Sequence, residues 1–357
     1  MSKFHSIKVA DIYKETKDCS VISFEIPVDL QNEFQYKQGQ HLTLKSSIDG
    51  KEERRSYSLC SSPTENKWRV AVKKINGGLF STFVNDNLKK GDFLDLMPPN
   101  GDFFTPVNDS KAKNYIAFAA GSGITPILSI IKTHLALEPN STFKLFYLNR
   151  SVKSIIFKEE IELLKNKYFG RFEIFHFLTK EHRSIELLNG RFTKEKLQVL
   201  TSKIIDIPAV DDCFICGPEE MIFLIRDELV AAGLPKEKVH FELFSTGNSE
   251  EDKQRINKIL EHKVEGTEVT IIDGGKEFHF TMDDDFDNIL DGALAAGADL
   301  PFACKGGVCS TCRCKIISGT VEMKINYALD ENEVAKGLIL SCQAVPTSQN
   351  VVVEFGV

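Results

Sequence analysis

No stretch of this 357-residue chain approaches the roughly 18 consecutive apolar residues that a membrane-spanning helix needs, so membrane insertion is not expected. Its start, Met1-Ser2-Lys3-Phe4-His5-Ser6, leads into mixed polar sequence rather than an apolar signal core, and the expected location is the cytoplasm. Internal repeats and low-complexity tracts are missing. So is an excess of basic residues: the formal charge is −7, which disfavours nucleic acid as a partner. Residues 267–357 hold 6 Lys and Arg against 14 Asp and Glu, so the acidity sits there and the rest is close to neutral. The nine cysteines, odd in number and mostly clustered, lack the pattern of a secreted disulfide framework and argue for a reducing compartment with metal-bound or free thiols.

The length suggests two or three domains. Residues 1–106 are β-rich, with short segments such as Val21–Pro27, His41–Ser46, Arg55–Leu59, Trp68–Lys74 and Phe93–Met97 separated by Gly, Pro and Asn turns, the pattern of a small antiparallel barrel or sandwich. Over residues 107–244 strand and helix alternate. Tyr115–Ala119, Phe143–Leu148, Phe172–Phe177, Cys213–Cys216 and Val239–Phe244 read as buried strands, with helices such as Pro126–Leu135 and Phe157–Lys165 between them, which predicts a doubly wound α/β domain. Residues 245–266 are polar at their start and read as a linker. From 267 a hairpin, Thr267–Ile272 and Glu277–Thr281 about Asp273-Gly274-Gly275, opens a last domain over 267–357, with a helix expected at Phe286–Ala296.

That last domain carries Cys304, Cys309, Cys312 and Cys342, spaced C-x4-C-x2-C with one distant Cys, as in plant-type [2Fe-2S] ligation. Glycines at 306 and 307 let the backbone fold tightly and turn amides toward cluster sulfurs. Ordinary buried thiols would follow an apolar period rather than cluster among glycines. Four thiolates can also hold zinc, but zinc sites usually come as two C-x2-C knuckles and the second is missing. Asp283, Asp284, Asp285, Asp287 and Asp291 surround the helix ahead of the loop, either as solvated surface or to steer a basic redox partner.

Two further constellations precede it. In Arg55-Ser56-Tyr57-Ser58 strand alternation puts Arg55 and Tyr57 on one face, an Arg for a diphosphate and a Tyr for a flat ring. Gly77-Gly78-Leu79-Phe80-Ser81-Thr82 opens a helix whose first amides and Ser81 hydroxyl suit phosphate oxygens. Gly121-Ser122-Gly123-Ile124-Thr125-Pro126 then joins a strand to a helix. Pro126 stands where the G-x-G-x-x-G fingerprint has its third glycine, so spacing alone leaves a structural turn open. Cys213-Phe214-Ile215-Cys216-Gly217-Pro218 ends another strand. Its two cysteines are three strand steps apart, about 10 Å, too far for a disulfide.

These motifs together resemble the ferredoxin-NADP reductase superfamily, with R-x-Y-S, G-x-x-S, G-x-G-I-T-P and C-G-P in order and a C-terminal ferredoxin. The resemblance implies a multidomain chain: an antiparallel β-barrel flavin domain, an α/β doubly wound nucleotide domain and an α+β (β-grasp) ferredoxin domain. It implies that Arg55 and Ser81 hold the FAD pyrophosphate with Gly78 as a backbone contact, that Tyr57 packs on the isoalloxazine, and that Ser58 bonds near N5. The nicotinamide dinucleotide would lie on Gly121, Ser122, Gly123, Thr125 and Pro126, with Cys216, Gly217 and Pro218 beside the nicotinamide and Cys216 next to the hydride path. Arg150 would meet the adenosine ribose and favour NADPH over NADH. Phe244 stacks near the flavin or is a plain core aromatic.

A nicotinamide gives two electrons together and a [2Fe-2S] cluster takes one at a time, so a flavin between them completes a relay from NAD(P)H to an external acceptor. The domain order is similar to that of the reductase components of bacterial multicomponent oxygenases, above all those of phenylacetyl-CoA (ring 1,2-) epoxidase systems in phenylacetate catabolism. A terminal oxygenase, a diiron phenylacetyl-CoA epoxidase, is the partner this implies. A Rieske-type hydroxylase or a desaturase as acceptor, or a passive flavin and iron-sulfur carrier, are the alternatives. Cys314 is a spare thiol that the pattern does not explain.

Overall fold

The computed structural model describes residues 4–244 and 250–356. The described residues divide into two compact units, one of His5–Glu53 with Tyr57–Phe244, the other of residues 250–356 with Phe4 and the short piece Arg54–Ser56.

The first unit begins with β1 (His5–Thr16), β2 (Cys19–Glu25), β3 (His41–Ile48), β4 (Lys51–Ser58), β5 (Trp68–Lys73), helix α1 (Leu79–Asp86) and β6 (Phe93–Leu96). The strands form one sheet in the order β4-β3-β6-β1-β2-β5. An antiparallel bridge from Leu59, just past β4, to Val70 on β5 joins the two edges and closes the barrel. Alternate residues point inward, among them Ile7, Val9, Leu42, Leu44, Val70 and Val72, and Phe80 of α1 plugs the core.

Then follow β7 (Asn114–Ala120), α2 (Ile124–Leu137), β8 (Thr142–Asn149), α3 (Lys158–Lys167), β9 (Phe172–Leu178), α4 (Lys194–Lys203), β10 (Asp212–Gly217), α5 (Glu219–Ala231) and β11 (Val239–Leu243). All five strands are parallel, ordered β11-β10-β7-β8-β9. The chain winds outward from β7 through β9, then returns to lay β10 on the other side of β7. The crevice beyond the carboxyl ends of β7 and β10 is therefore the topological switch point, where doubly wound sheets take their ligands.

Barrel and nucleotide sheet share one core, in which Cys19, Val21, Cys60, Ala71 and Phe103 pack with Ile127, Tyr147, Phe214 and Cys216. Polar locks reinforce it. On α2, Ser129 Oγ donates to Ser61 O at 2.6 Å, the hydroxyls of Thr133 and Ser62 are 2.9 Å apart, and the buried Lys132 pairs with Glu65 at 3.0 Å and with Glu160. Glu160 also takes the Arg69 guanidinium at 2.8 Å. Phe157, at the start of α3, holds a left-handed backbone (φ 60°) with its amide donating to Glu15 at 2.8 Å.

The second unit contains α6 (Glu250–Leu260), β12 (Glu268–Asp273), β13 (Lys276–Thr281), α7 (Ile289–Ala295), β14 (Arg313–Ser318), β15 (Val321–Met323), α8 (Glu331–Ala335), β16 (Leu338–Leu340), β17 (Ala344–Pro346) and β18 (Asn350–Phe355). Its mixed sheet runs β13-β12-β18-β14-β16, with β12 and β18 parallel, and β15 pairs with β17. Gly274 and Gly275, both at positive φ, make the two-residue turn of the β12–β13 hairpin.

The segment read as a linker is thus partly helical. Residues 245–249 lie outside the described residues, and α6 follows with Asp252 and Ile259 on its buried side. The helix expected at Phe286–Ala296 is shorter, because Asn288 caps it by accepting the Asp291 amide at 3.0 Å.

Candidate functional site

Strand β4 carries the R-x-Y-S residues to the barrel rim. Arg55 is exposed and its guanidinium donates to the Arg54 carbonyl at 2.7 Å. Tyr57 is half-buried with its ring 5.9 Å from that of Phe80, so the aromatic of this motif leans on the first turn of α1. That turn is tight: Gly77 has φ +74°, and a Cβ on Gly78 would stand 2.6 Å from Ser81 Oγ and 3.2 Å from Ile75 O. The Ser81 hydroxyl accepts the Ile75 amide at 3.1 Å and donates to Gly78 O at 3.3 Å. The hydroxyl therefore closes the turn, and the turn's capacity for an anion rests on the first amides of α1, which a helix leaves without carbonyl partners of its own.

Gly121–Gly123 forms a single 3-10 turn between β7 and α2, with Gly121 at φ +52° and its carbonyl taking the Tyr147 hydroxyl at 2.9 Å. Thr125 Oγ1 donates to Ser122 O at 3.0 Å and Pro126 lies in the first turn of α2. Gly123 is the point of closest approach to the C-G-P turn. A Cβ there would meet Cys216 O at 2.2 Å and Gly217 N at 3.1 Å. Gly217 in turn packs so that its own Cβ would lie 2.5 Å from Met221 Cε and 3.0 Å from Ala120 Cβ. The two motifs, almost a hundred residues apart, are thus one surface at the switch point, and Pro218 begins α5 from it.

This surface reaches the R-x-Y-S motif through Glu242. On β11 Glu242 is in register with Cys216 on β10, and its carboxylate accepts the Ser58 hydroxyl at 3.2 Å. Burial, with Glu242 nearby, pushes the Cys216 thiol well up, so it is neutral. Lys73 of the barrel strand β5 comes to the same place from the other side, its Nζ 3.7 Å from where a Gly121 Cβ would be. Sequence reasoning missed both residues. A Glu before the terminal aromatic of Phe241-Glu242-Leu243-Phe244, and a Lys at the end of a strand, are signals too common to single out. Arg150 is exposed beyond β8, with its carbonyl taking the Lys180 amide at 2.8 Å, and Phe244 is exposed at the end of β11.

In the second unit the loop between α7 and β14 winds through positive φ at Lys305, Gly307 and Ser310. Cys309, Cys312 and Cys342 are buried and Cys304 is half-buried. Cys342 is brought in by its neighbour Ser341, whose amide and hydroxyl both donate to Cys312 O at 3.1 and 3.0 Å. The first three thiols come from this one loop and the fourth from just past β16, and the Gly306 amide donates to Cys304 Sγ at 3.3 Å. The Cys309 thiol and the Gly306 and Val308 amides draw the Cys304 thiol down to about 7. Four cysteine sulfurs, with the Gly306 amide turned in upon them, are the donor set that would hold a [2Fe-2S] cluster. Cys314 is on β14 opposite Ile339 and Phe355, fully buried in the sheet's core, and burial raises its thiol. It packs as a core residue.

Three family descriptions match in succession: "Oxidoreductase FAD-binding domain" over 6–105, "Oxidoreductase NAD-binding domain" over 118–227 and "2Fe-2S iron-sulfur cluster binding domain" over 271–347. One of the subunits of the 1,2-phenylacetyl-CoA epoxidase of Escherichia coli K12 is 42% identical, covering 99% of this chain and 98% of its own. The ferredoxin reductase component of the 3-ketosteroid-9-alpha-monooxygenase of Rhodococcus rhodochrous is 33% identical over 98% of this chain and 96% of its own. Among solved structures, phthalate dioxygenase reductase shares the fold across 99% of this chain and 98% of its own, at a TM-score of 0.59 and 24% identity.

Proposed function

The chain belongs to the family of oxygenase reductases that join FAD-binding, NAD-binding and 2Fe-2S domains, and on that premise we propose that it draws electrons from NADPH or NADH for a phenylacetyl-CoA epoxidase. The observation that carries the arrangement of its redox site is the hydrogen bond from Ser58 to Glu242 beside Cys216, because it joins the flavin motif to the nicotinamide motif. FAD is held by Arg55, Tyr57 and Ser58 and by the backbone amides of the turn from Gly78 to Ser81, whose shape the Ser81 hydroxyl fixes, and the dinucleotide by Gly121, Ser122, Gly123, Thr125, Pro126, Arg150, Gly217 and Pro218, with Lys73 adding a cation from the barrel. Cys304, Cys309, Cys312 and Cys342 hold the cluster. When bound, FAD supplies conversion between two-electron and one-electron transfer, and the [2Fe-2S] cluster supplies the one-electron outlet.

The residues' own work is positioning. Glu242 accepts from Ser58 and so fixes the hydroxyl that faces the flavin's reactive edge. Cys216, neutral and fully buried, presents a compact apolar wall that keeps water from the nicotinamide face. Phe244, exposed at the end of β11, would stack near the flavin ring. Arg150 beyond β8 favours NADPH through a 2′-phosphate. Dependence on NAD(P)H and reduced thiols is in keeping with a cytoplasmic enzyme.

The choice of acceptor rests on the 42% identical epoxidase subunit, and other relatives are named for a ketosteroid monooxygenase and, at 28% identity, a glycine betaine monooxygenase. The test is reconstitution with the purified oxygenase components of a phenylacetyl-CoA epoxidase. Epoxidation that requires this chain and NADPH or NADH is the expected result. Cytochrome c reduction without any epoxidation would point to another oxygenase, and no bleaching of the flavin by either nucleotide would overturn the reductase assignment of the site.

A further inference from the structure

The side chain of Gln343 is buried, follows the fourth cluster cysteine, and is tied down at both ends. Its backbone amide donates to Leu340 O at 2.8 Å and its carbonyl takes the Lys324 amide at 3.0 Å. Its Nε2 donates to the carbonyl of Lys305 at 2.8 Å, inside the loop that carries Cys304 and Cys309. A carbonyl acceptor admits only the nitrogen end of the amide, which settles the orientation of the group. The same nitrogen has a second proton, and Cys342 Sγ lies 3.7 Å from it, within reach of an N–H···S bond. Gly307, at φ +76°, leaves the room this needs, since a Cβ there would come within 3.2 Å of Gln343 Cγ.

We propose that Gln343 is a positioning residue that raises the reduction potential of the [2Fe-2S] cluster by donating a hydrogen bond to the ligand sulfur of Cys342 while its other proton locks the cluster loop through Lys305. Reduction adds negative charge to the iron-sulfur unit, and a donor aimed at a ligand sulfur stabilises the reduced form more than the oxidised one. The donor is buried and pre-oriented, so no water competes for the sulfur and little ordering is needed when the electron arrives. The Lys305 bond matters equally, because it keeps the amide from rotating away.

This inference rests on the reading that the four cysteines hold a [2Fe-2S] cluster, and absence of iron and of a visible charge-transfer band in the parent protein would remove that reading before Gln343 is questioned. Given a loaded parent, full-length Gln343→Met keeps the length and removes both donors. Potentiometric titration of the cluster, followed by its spectrum, should show a more negative midpoint, with the one-electron equilibrium changed about tenfold, or about 59 mV. An unchanged midpoint overturns the proposal. Should Gln343→Met fail to hold iron, the parent labelled with ¹⁵N at glutamine side-chain amides decides: pulsed EPR of the reduced cluster should show a ¹⁵N coupling, and its absence overturns the proposal.

Discussion

Replacing Gly123 with alanine should slow transfer from nicotinamide to flavin without removing the flavin. At φ −60° and ψ −9° this glycine has ordinary right-handed backbone that alanine adopts without strain, so the substitution tests space alone. The new Cβ would stand 2.2 Å from Cys216 O and 2.6 Å from its carbonyl carbon. Neither atom can swing aside as a side chain does, because β10 is bonded in register to β7 on one side and β11 on the other. Relief requires the Gly121–Gly123 turn and the Cys216–Pro218 turn to part by about 1 Å, and a misplacement of that size can cost roughly 10²-fold in rate, or ~2.7 kcal/mol of barrier. Anaerobic stopped-flow bleaching of the flavin by NADPH and by NADH measures the step directly. Flavin content and the cluster spectrum after dithionite should match the parent's, since the nearest atoms to the new methyl belong to Cys216 and Gly217 and not to Arg55, Tyr57, Gly78, Ser81 or the four cysteines. A folded, flavin-loaded Gly123→Ala protein that is reduced at the parent's rate refutes the claim that the two motifs form one site.

Removing one cluster ligand with Cys309→Ser should abolish NAD(P)H-driven cytochrome c reduction and leave ferricyanide reduction by the flavin, and survival of both would mean that the cluster is not the outlet. Lys132→Met should lower stability by about 1–3 kcal/mol at neutral pH, because it removes the buried cation that pairs with both Glu65 and Glu160 and leaves Glu160 to Arg69 alone, and an unaltered urea midpoint would contradict this. Glu138 is fully buried. Burial would raise its carboxyl, but His134 and the Asn108 amide outweigh that and bring it down to about 2. A depressed carboxylate stabilises above its unfolded value and loses the benefit as pH falls toward its folded value, so ~3 kcal/mol should disappear between about pH 5 and pH 2. Glu138→Gln should therefore be destabilised at pH 7 relative to the parent and converge with it in acid, whereas a pH-independent gap would show that the carboxylate is not depressed.

What could be read from the sequence was what the chain carries in contiguous runs. The C-x4-C-x2-C loop, the Gly121–Pro126 turn and the hairpin at Gly274-Gly275 need only local backbone freedom, and each stands where its spacing put it. Strand β1 did not announce itself. It is the barrel's longest strand, yet of its twelve residues only Ile7 and Val9 are buried, so clean inward–outward alternation covers only its start, and the rest is held by pairing to β2 and β6. Helix α6 failed for the same reason, since one buried stripe among charges does not make a readable period. The candidate site is the sharper case. Ser58 is assigned by its motif and Cys216 by another, but Glu242 belongs to neither and reaches Ser58 only because parallel pairing sets it level with Cys216. Register in a parallel sheet is fixed by the burial of whole strands through crossover helices rather than by any local turn, so the residue that joins the two halves of the site is the one a motif cannot name.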